Sequence, residues 1–234
     1  MEQRDVAIGP IRSLAAAWHN PTRSGRTYYL PPGAALPHDA ALDDSLAAAI
    51  TNSGTGAVMF WSADDVHAVL PPFPVEAAAE FDGWDTGPLM TLLDRHRTVL
   101  VLLLRLSGFA VGVFEGERLV QSKIGSRFVK ARHKKGGSSS GRFARRREGQ
   151  ARALMDKAAE TFQAQAEVYD GSFDHLLLGG DRMTLLAFRK RCTYLERLES
   201  IRLPRVLNVD DPKLETLRTL PRLIYTSRVV SSNP

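Results

Sequence analysis

The sequence predicts an α/β fold, a mixed sheet covered by helices on both faces. Three observations lead there. Thr98 to Leu106 (TVLVLLLRL) is a near-continuous apolar run, the pattern of a strand buried on both sides. It opens a three-stranded meander over residues 98–124, with turn signals at Ser107-Gly108 and Gly116. Beyond the meander, helical periodicity alternates with short apolar runs, the order of a layered α/β domain.

Taken from the N-terminus, residues 1–40 are punctuated by Gly9-Pro10, Asn20-Pro21, Pro31-Pro32-Gly33 and Pro37, and loose order is expected. Asp39 to Ile50 can form a short helix through Leu42, Leu46 and Ile50. Thr55 to Trp61 reads as a strand. Val66 to Val75 reads as an edge strand, because its prolines cannot donate to a ladder. These pieces form an N-terminal extension, residues 1–85, before a main domain over 86–234. Pro88 to Arg95 is a short helix, and Arg118 to Ile124 is the third strand of the meander. Phe143 to Tyr169 places Leu154, Ala158, Phe162, Ala166 and Tyr169 on one helical face, and Gly171 stops it. His175 to Leu178 is a buried strand ending at Gly179-Gly180, and Asp181 caps a helix from Arg182 to Glu199. Val206 to Val209 is a further strand. Asp210-Asp211-Pro212 starts a helix through Leu220, and Leu223 to Val230 is a last strand of the same domain.

Composition narrows the function classes. The chain has 234 residues and is 44% hydrophobic, enough for a real core. One cysteine, Cys192, excludes an internal disulfide and a Cys-based zinc site. The start, MEQRDVAIGPIRS, lacks the apolar centre of a signal peptide. Arg105 and Ser107-Gly108 interrupt the run Thr98 to Phe114, which therefore does not read as a membrane span. A soluble, cytoplasmic protein without membrane contact is expected.

Charge is concentrated in one place. Lys123 to Arg152 holds eleven bases and a single acid, Glu148, so this segment is net +10. The other residues carry 20 bases and 25 acids, net −5. At the centre of the segment lies Gly136-Gly137-Ser138-Ser139-Ser140-Gly141. A polyanion suits such an element, and two glycines let the backbone approach a partner closely.

Competing motifs are weaker. Gly137-Ser138-Ser139-Ser140-Gly141 formally matches a hydrolase nucleophile elbow, but Arg132-His133-Lys134-Lys135 before it cannot be a buried strand. No phosphate-binding P-loop pattern is present. A metal-dependent nuclease would place a carboxylate on its first core strand, and Thr98 to Phe114 contains none. His133 reads as a member of the basic patch, and His175 as a strand-edge residue. Trp18, Trp61 and Trp84 read as packing anchors. Gly179-Gly180-Asp181 reads as a tight strand-to-helix turn, with anion binding as its alternative.

The succession of apolar meander, Lys/Arg-rich loop, Gly-Gly and Ser-x-x-Arg-Phe-x-x-x-Arg opening a long helix resembles the middle domain of eukaryotic and archaeal peptide release factors. The strand end Leu178-Gly179-Gly180 is similar too. The N-terminal runs TGAVMFW and LPPFPV resemble the Vms-type factors, in particular the actinobacterial VLRF group. This resemblance implies an RNase H-like topology and a peptidyl-tRNA hydrolase that frees nascent chains in ribosome rescue. It implies the large ribosomal subunit, ribosomal RNA and peptidyl-tRNA as partners, with no cofactor and no metal. Catalysis would fall to Gly136, Gly137, Ser138 and Ser139. RNA contact would fall to Lys130, Arg132, His133, Lys134, Lys135, Arg142, Arg145 and Arg146. The chain departs from the family motif in one respect: serine stands at both positions, 138 and 139, where these factors carry a glutamine. A docking protein without hydrolase activity, or a general RNA-binding domain, are the other readings.

Overall fold

In the computed structural model, residues 2–38, 42–126, 140–169 and 172–232 are described. The elements in order are β1 (Glu2–Val6), α1 (Ile8–Trp18), β2 (Arg26–Leu30), α2 (Asp44–Thr51), β3 (Ala57–Trp61), β4 (Val66–Leu70), β5 (Ala79–Asp82) and α3 (Gly87–Asp94). Then follow β6 (Thr98–Arg105), β7 (Gly108–Glu115), β8 (Arg118–Ser126), α4 (Ser140–Val168), β9 (His175–Gly180), α5 (Arg182–Arg189) and a 3-10 segment, Thr193–Ile201. The chain closes with β10 (Arg202–Leu207), α6 (Leu214–Thr219), α7 (Pro221–Ile224) and β11 (Ser227–Ser232).

Two compact units result. One comprises residues 1–95 together with 222–234; the other is 96–221. The boundary thus falls after α3 rather than at residue 85. The last strand, expected in the main domain, instead completes the first unit.

The first unit is built on an antiparallel six-stranded sheet in the order β1-β11-β4-β3-β2-β5. Successive side chains alternate between its faces, as strand geometry requires. Tyr29, Val58, Phe60, Val69 and Val229 point toward Ile11 and Ala15 of α1 and Leu89 and Leu93 of α3. Tyr28, Ala57, Met59, Ala68 and Val230 point toward Leu46 and Ile50 of α2. Residues 2–38 are therefore largely ordered, against expectation. Their Gly and Pro pairs sit between elements or in a first helical turn, as Pro10 does in α1. β4 is likewise no edge strand: it lies between β11 and β3 and ends at Leu70, before the prolines begin.

The second unit carries a five-stranded mixed sheet, order β10-β9-β6-β7-β8. β6, β7 and β8 form the antiparallel meander, and β9 and β10 run parallel to β6. This is the RNase H-like layout. Leu100, Leu102, Leu104, Val111 and Val113 pack on one face against Leu154, Ala158 and Phe162 of α4 and Leu185 and Phe188 of α5. On the other face, α6 lies against β7 and β8. A side chain at Gly112 would meet Leu217 of α6 at 3.1 Å. Val99, Val101 and Leu103 are also fully buried, so the apolar run is a two-faced strand as read.

Two further expectations change. The helix from Arg182 ends at Arg189, and a 3-10 segment follows. The non-helical backbone at Cys192 (φ −100°, ψ 89°) lets Cys192, Leu195 and Leu198 join the same core as Phe188. Gly180 (φ +115°) makes the turn after β9, where a Cβ would lie 2.1 Å from the Leu104 carbonyl oxygen. Asp181 then caps α5 by accepting from Thr184 N (2.8 Å) and Thr184 Oγ1 (2.6 Å), which holds its carboxyl below the usual range. The Gly-Gly-Asp stretch is thus accounted for by turn and cap.

Candidate nucleic-acid interface

The basic segment joins the edge strand β8 to the long helix α4. Gly136, Gly137, Ser138 and Ser139, with Lys130, Arg132, His133, Lys134 and Lys135, lie outside the described residues. What the structure places are the two supports of that segment, Ser126 and Ser140, and the arginines that follow it.

α4 folds back along the meander and is fixed at its far end. The Gln121 amide of β8 donates to the Gln165 backbone carbonyl and to its Oε1, both at 3.0 Å. Just past the helix, the Tyr169 hydroxyl donates to Glu115 Oε1 at 2.6 Å, at the β7–β8 turn. That bond first, and Arg118 second, hold the Glu115 carboxyl below its ordinary value. Gln121 therefore serves as an anchor for α4.

The near end is free of the core. From the Gln121–Gln165 contact the strand continues five residues to Ser126, about 17 Å at strand rise. The helix runs 25 residues back to Ser140, about 37 Å at helical rise. Beyond that contact the helix is therefore longer than the described part of its strand by roughly 20 Å. Packing agrees with that length: among the described side chains, the first fully buried one on α4 is Leu154. A Cβ added at Gly141 or Gly149 would meet nothing within 4 Å.

This projecting arm is strongly positive. Arg142, Arg145 and Arg146 are exposed and Arg147 is half-buried. Among the described residues none of the four has an ion-pair partner; the one pair on the arm joins Arg152 to Glu148 at 3.7 Å. No acid occupies the first turn of α4. Cations at a helix N-terminus oppose the macrodipole, so this placement destabilises the isolated helix and suits a bound anion. Sequence reading named Arg142, Arg145 and Arg146 but passed over Arg147 as a contact residue. It also set Gln165 and Tyr169 on the packed face of the helix without foreseeing their pairings with Gln121 and Glu115, which join residues 44 to 54 positions apart.

The remaining candidates have structural roles. Trp84 is buried and donates its indole N–H to the Trp61 carbonyl at 3.2 Å. Trp18 stacks on His67 at 4.7 Å between ring centroids, and the His67 Nδ1 pairs with Ser231 Oγ at 2.8 Å. Burial holds that imidazole below its ordinary value. Among the described residues no group of three His, Cys, Asp or Glu side chains is placed to hold a metal ion. No described helix is long and apolar enough to cross a membrane.

The model of the Actinobacteria/chloroflexi VLRF1 release factor matches residues 97–230, more than half of the chain. The chain belongs to this release-factor family. That membership gives it a release-factor-like role in translation, and the matched region includes both supports of the basic segment. Among solved structures, the chain is similar to the archaeal translation termination factor aRF1, at 13% identity and a TM-score of 0.41, over 93% of this chain and 71% of that one. A second archaeal protein gives 13% identity and 0.37, over 90% and 67%. Archaeoglobus fulgidus Pelota gives 9% and 0.27, over 95% of this chain and 63% of its own length. No curated protein matches the sequence.

Proposed function

We propose that this VLRF1-family chain is a peptidyl-tRNA hydrolase that frees nascent chains from tRNA on stalled or split ribosomes in the cytoplasm. The observation that carries the reading is the basic arm: a release-factor-family domain whose α4 begins with arginines that have no ion pair among the described residues and that follow the Gly136-Gly137 segment in sequence. Ribosomal RNA of the large subunit and the tRNA acceptor end supply the polyanion. Arg142, Arg145 and Arg146, with Lys130, Arg132, His133, Lys134 and Lys135, contact phosphates and fix position.

The reaction is hydrolysis of an aminoacyl ester. Water attacks the carbonyl carbon, the ester C–O bond breaks, and the tRNA ribose hydroxyl leaves with a proton. Negative charge develops first on the carbonyl oxygen. Backbone N–H groups at Gly137 to Ser139 stabilise it, and such donors act regardless of the side chain they carry; losing one costs about a hundred- to a thousandfold in rate. The hydroxyl of Ser138 or Ser139 both donates and accepts, which is what orienting a water requires. Neither metal nor cofactor enters this route.

The test is incubation with large-subunit complexes carrying labelled peptidyl-tRNA, beside the double variant Gly136→Ala/Gly137→Ala. Release by the natural chain and its loss in the variant are expected. Co-sedimentation without release would make the chain a docking protein, the reading that serine at positions 138 and 139 favours. Neither release nor co-sedimentation would leave a general RNA-binding domain.

A further inference from the structure

We infer that the outer face of α5, with Val206 of β10, is a docking surface for an acidic amphipathic helix of a partner protein. This proposal does not depend on peptide release.

The starting observation is unusual exposure. Met183 is 70% exposed and Leu186 48% exposed, on a helix of eight residues. At 3.6 residues per turn, residues 182, 183, 186, 189 and 190 share a stripe about 120° wide. All five are exposed, while Thr184, Leu185 and Phe188 point into the core. Met183 and Leu186 therefore lie together on the solvent side, not at the rim of the packed face.

A third exposed apolar residue lies on the same side of the sheet. Val206 is 47% exposed on β10, an edge strand. It pairs in register with Leu178, and register partners in a sheet point to the same face. Leu178 belongs to the core that also holds Leu185 and Phe188 of α5. Val206 thus faces the side of the sheet that α5 covers, one strand further out. Several exposed apolar side chains on one side of a sheet mark an interaction site more often than scattered single residues do.

Charge identifies the occupant. The exposed stripe of α5 carries Arg182, Arg189 and Lys190 around its two apolar residues, and no acid. Arg189 is paired with Glu199; Arg182 and Lys190 have no ion pair among the described residues. A partner with an apolar ridge flanked by Asp or Glu would satisfy both features. Strand addition at the open edge of β10 is disfavoured by Pro204, which has no N–H, and by the register shift between Arg202 and Val206. A helix needs no backbone partners, so docking of a helix fits better. Nucleic acid would use the bases but gain little from Met183 or Leu186.

The probe is a fluorescein-labelled 20-residue designed helix with leucines at i, i+3, i+4 and i+7 spacing and glutamates beside them, read by anisotropy with the full chain. The natural chain should bind it at least tenfold more tightly than Met183→Glu/Leu186→Glu, with a scrambled peptide of the same composition weak against both. Unchanged circular dichroism would show that the variant is folded. Equal binding of the scrambled peptide, or binding that survives the variant, would overturn the proposal. A second readout uses methyl-labelled methionine, of which the chain has five. A Met183 shift with the peptide supports it. A Met183 shift with an RNA hairpin but not the peptide would assign the surface to nucleic acid. A shift with protein concentration alone would assign it to a second copy; either result overturns the proposal.

Discussion

Gly180 and Gly149 are opposite cases of the same residue. At Gly180 the backbone is left-handed (φ +115°) and the Leu104 carbonyl oxygen stands where a Cβ would go. Gly180→Ala should destabilise the second unit by about 1–3 kcal/mol or more, the usual range for strain at a special backbone conformation. At Gly149 nothing lies within 4 Å and the helix is exposed. Gly149→Ala should therefore stabilise the α4 arm by about 0.5–1 kcal/mol, because alanine has less backbone entropy to lose. Urea unfolding would read the first change. Hydrogen exchange of arm amides would read the second, as slower exchange. A Gly180→Ala variant of natural stability would refute the reading of the β9–α5 turn.

Among elements, α4 decides most. Its C-terminal half is a core helix, held by Leu154, Ala158, Phe162 and Ala166. Its N-terminal half is a charged arm. Such a division predicts RNA binding carried by charge rather than by shape. Replacing Arg142, Arg145 and Arg146 by alanine should weaken binding to a ribosomal RNA hairpin. It should also reduce the slope of log K against log salt by roughly 2–3, at about 0.7–0.9 per lost phosphate contact. Binding measured between low and moderate salt checks both numbers. An unchanged slope would exclude these arginines as phosphate contacts.

Over the whole molecule, the two units differ in charge as well as in fold. Residues 1–95 with 222–234 carry 12 acids, 7 arginines and no lysine, net −5; residues 96–221 carry 24 bases and 14 acids, net +10. The polyanion contact proposed above therefore falls to the second unit. The first unit depends on the last strand of the chain: β11 sits between β1 and β4 and supplies Val229 and Val230, one to each core. Truncation after Thr226 would open the sheet there and expose both cores. We expect such a chain to lose cooperative unfolding of the first unit, seen as a missing transition in calorimetry, while the second unit's transition remains. Retention of both transitions would show that the β11 pairing is dispensable.

Much of this was legible from residues alone. The run from Thr98 was readable as a two-faced strand because its apolar pattern is continuous, and α4 because its apolar residues recur at helical spacing. The concentration of charge at Lys123 to Arg152 is a property of order along the chain, and the resemblance to release factors draws on that stretch within the matched residues 97–230. Other features were hidden for a common reason: they join residues distant in sequence. The ordered N-terminus depends on burial of Ile11 and Ala15 against strands from 29 to 229. The anchor of α4 depends on Gln121 meeting Gln165, and the patch at Met183 on the register that turns Val206 to the same face. Sequence determined which segments could be helix, strand or polyanion contact, since periodicity and charge are local. Tertiary structure alone decided which sheet β11 completes and how far α4 projects, because burial and long-range pairing override local signals.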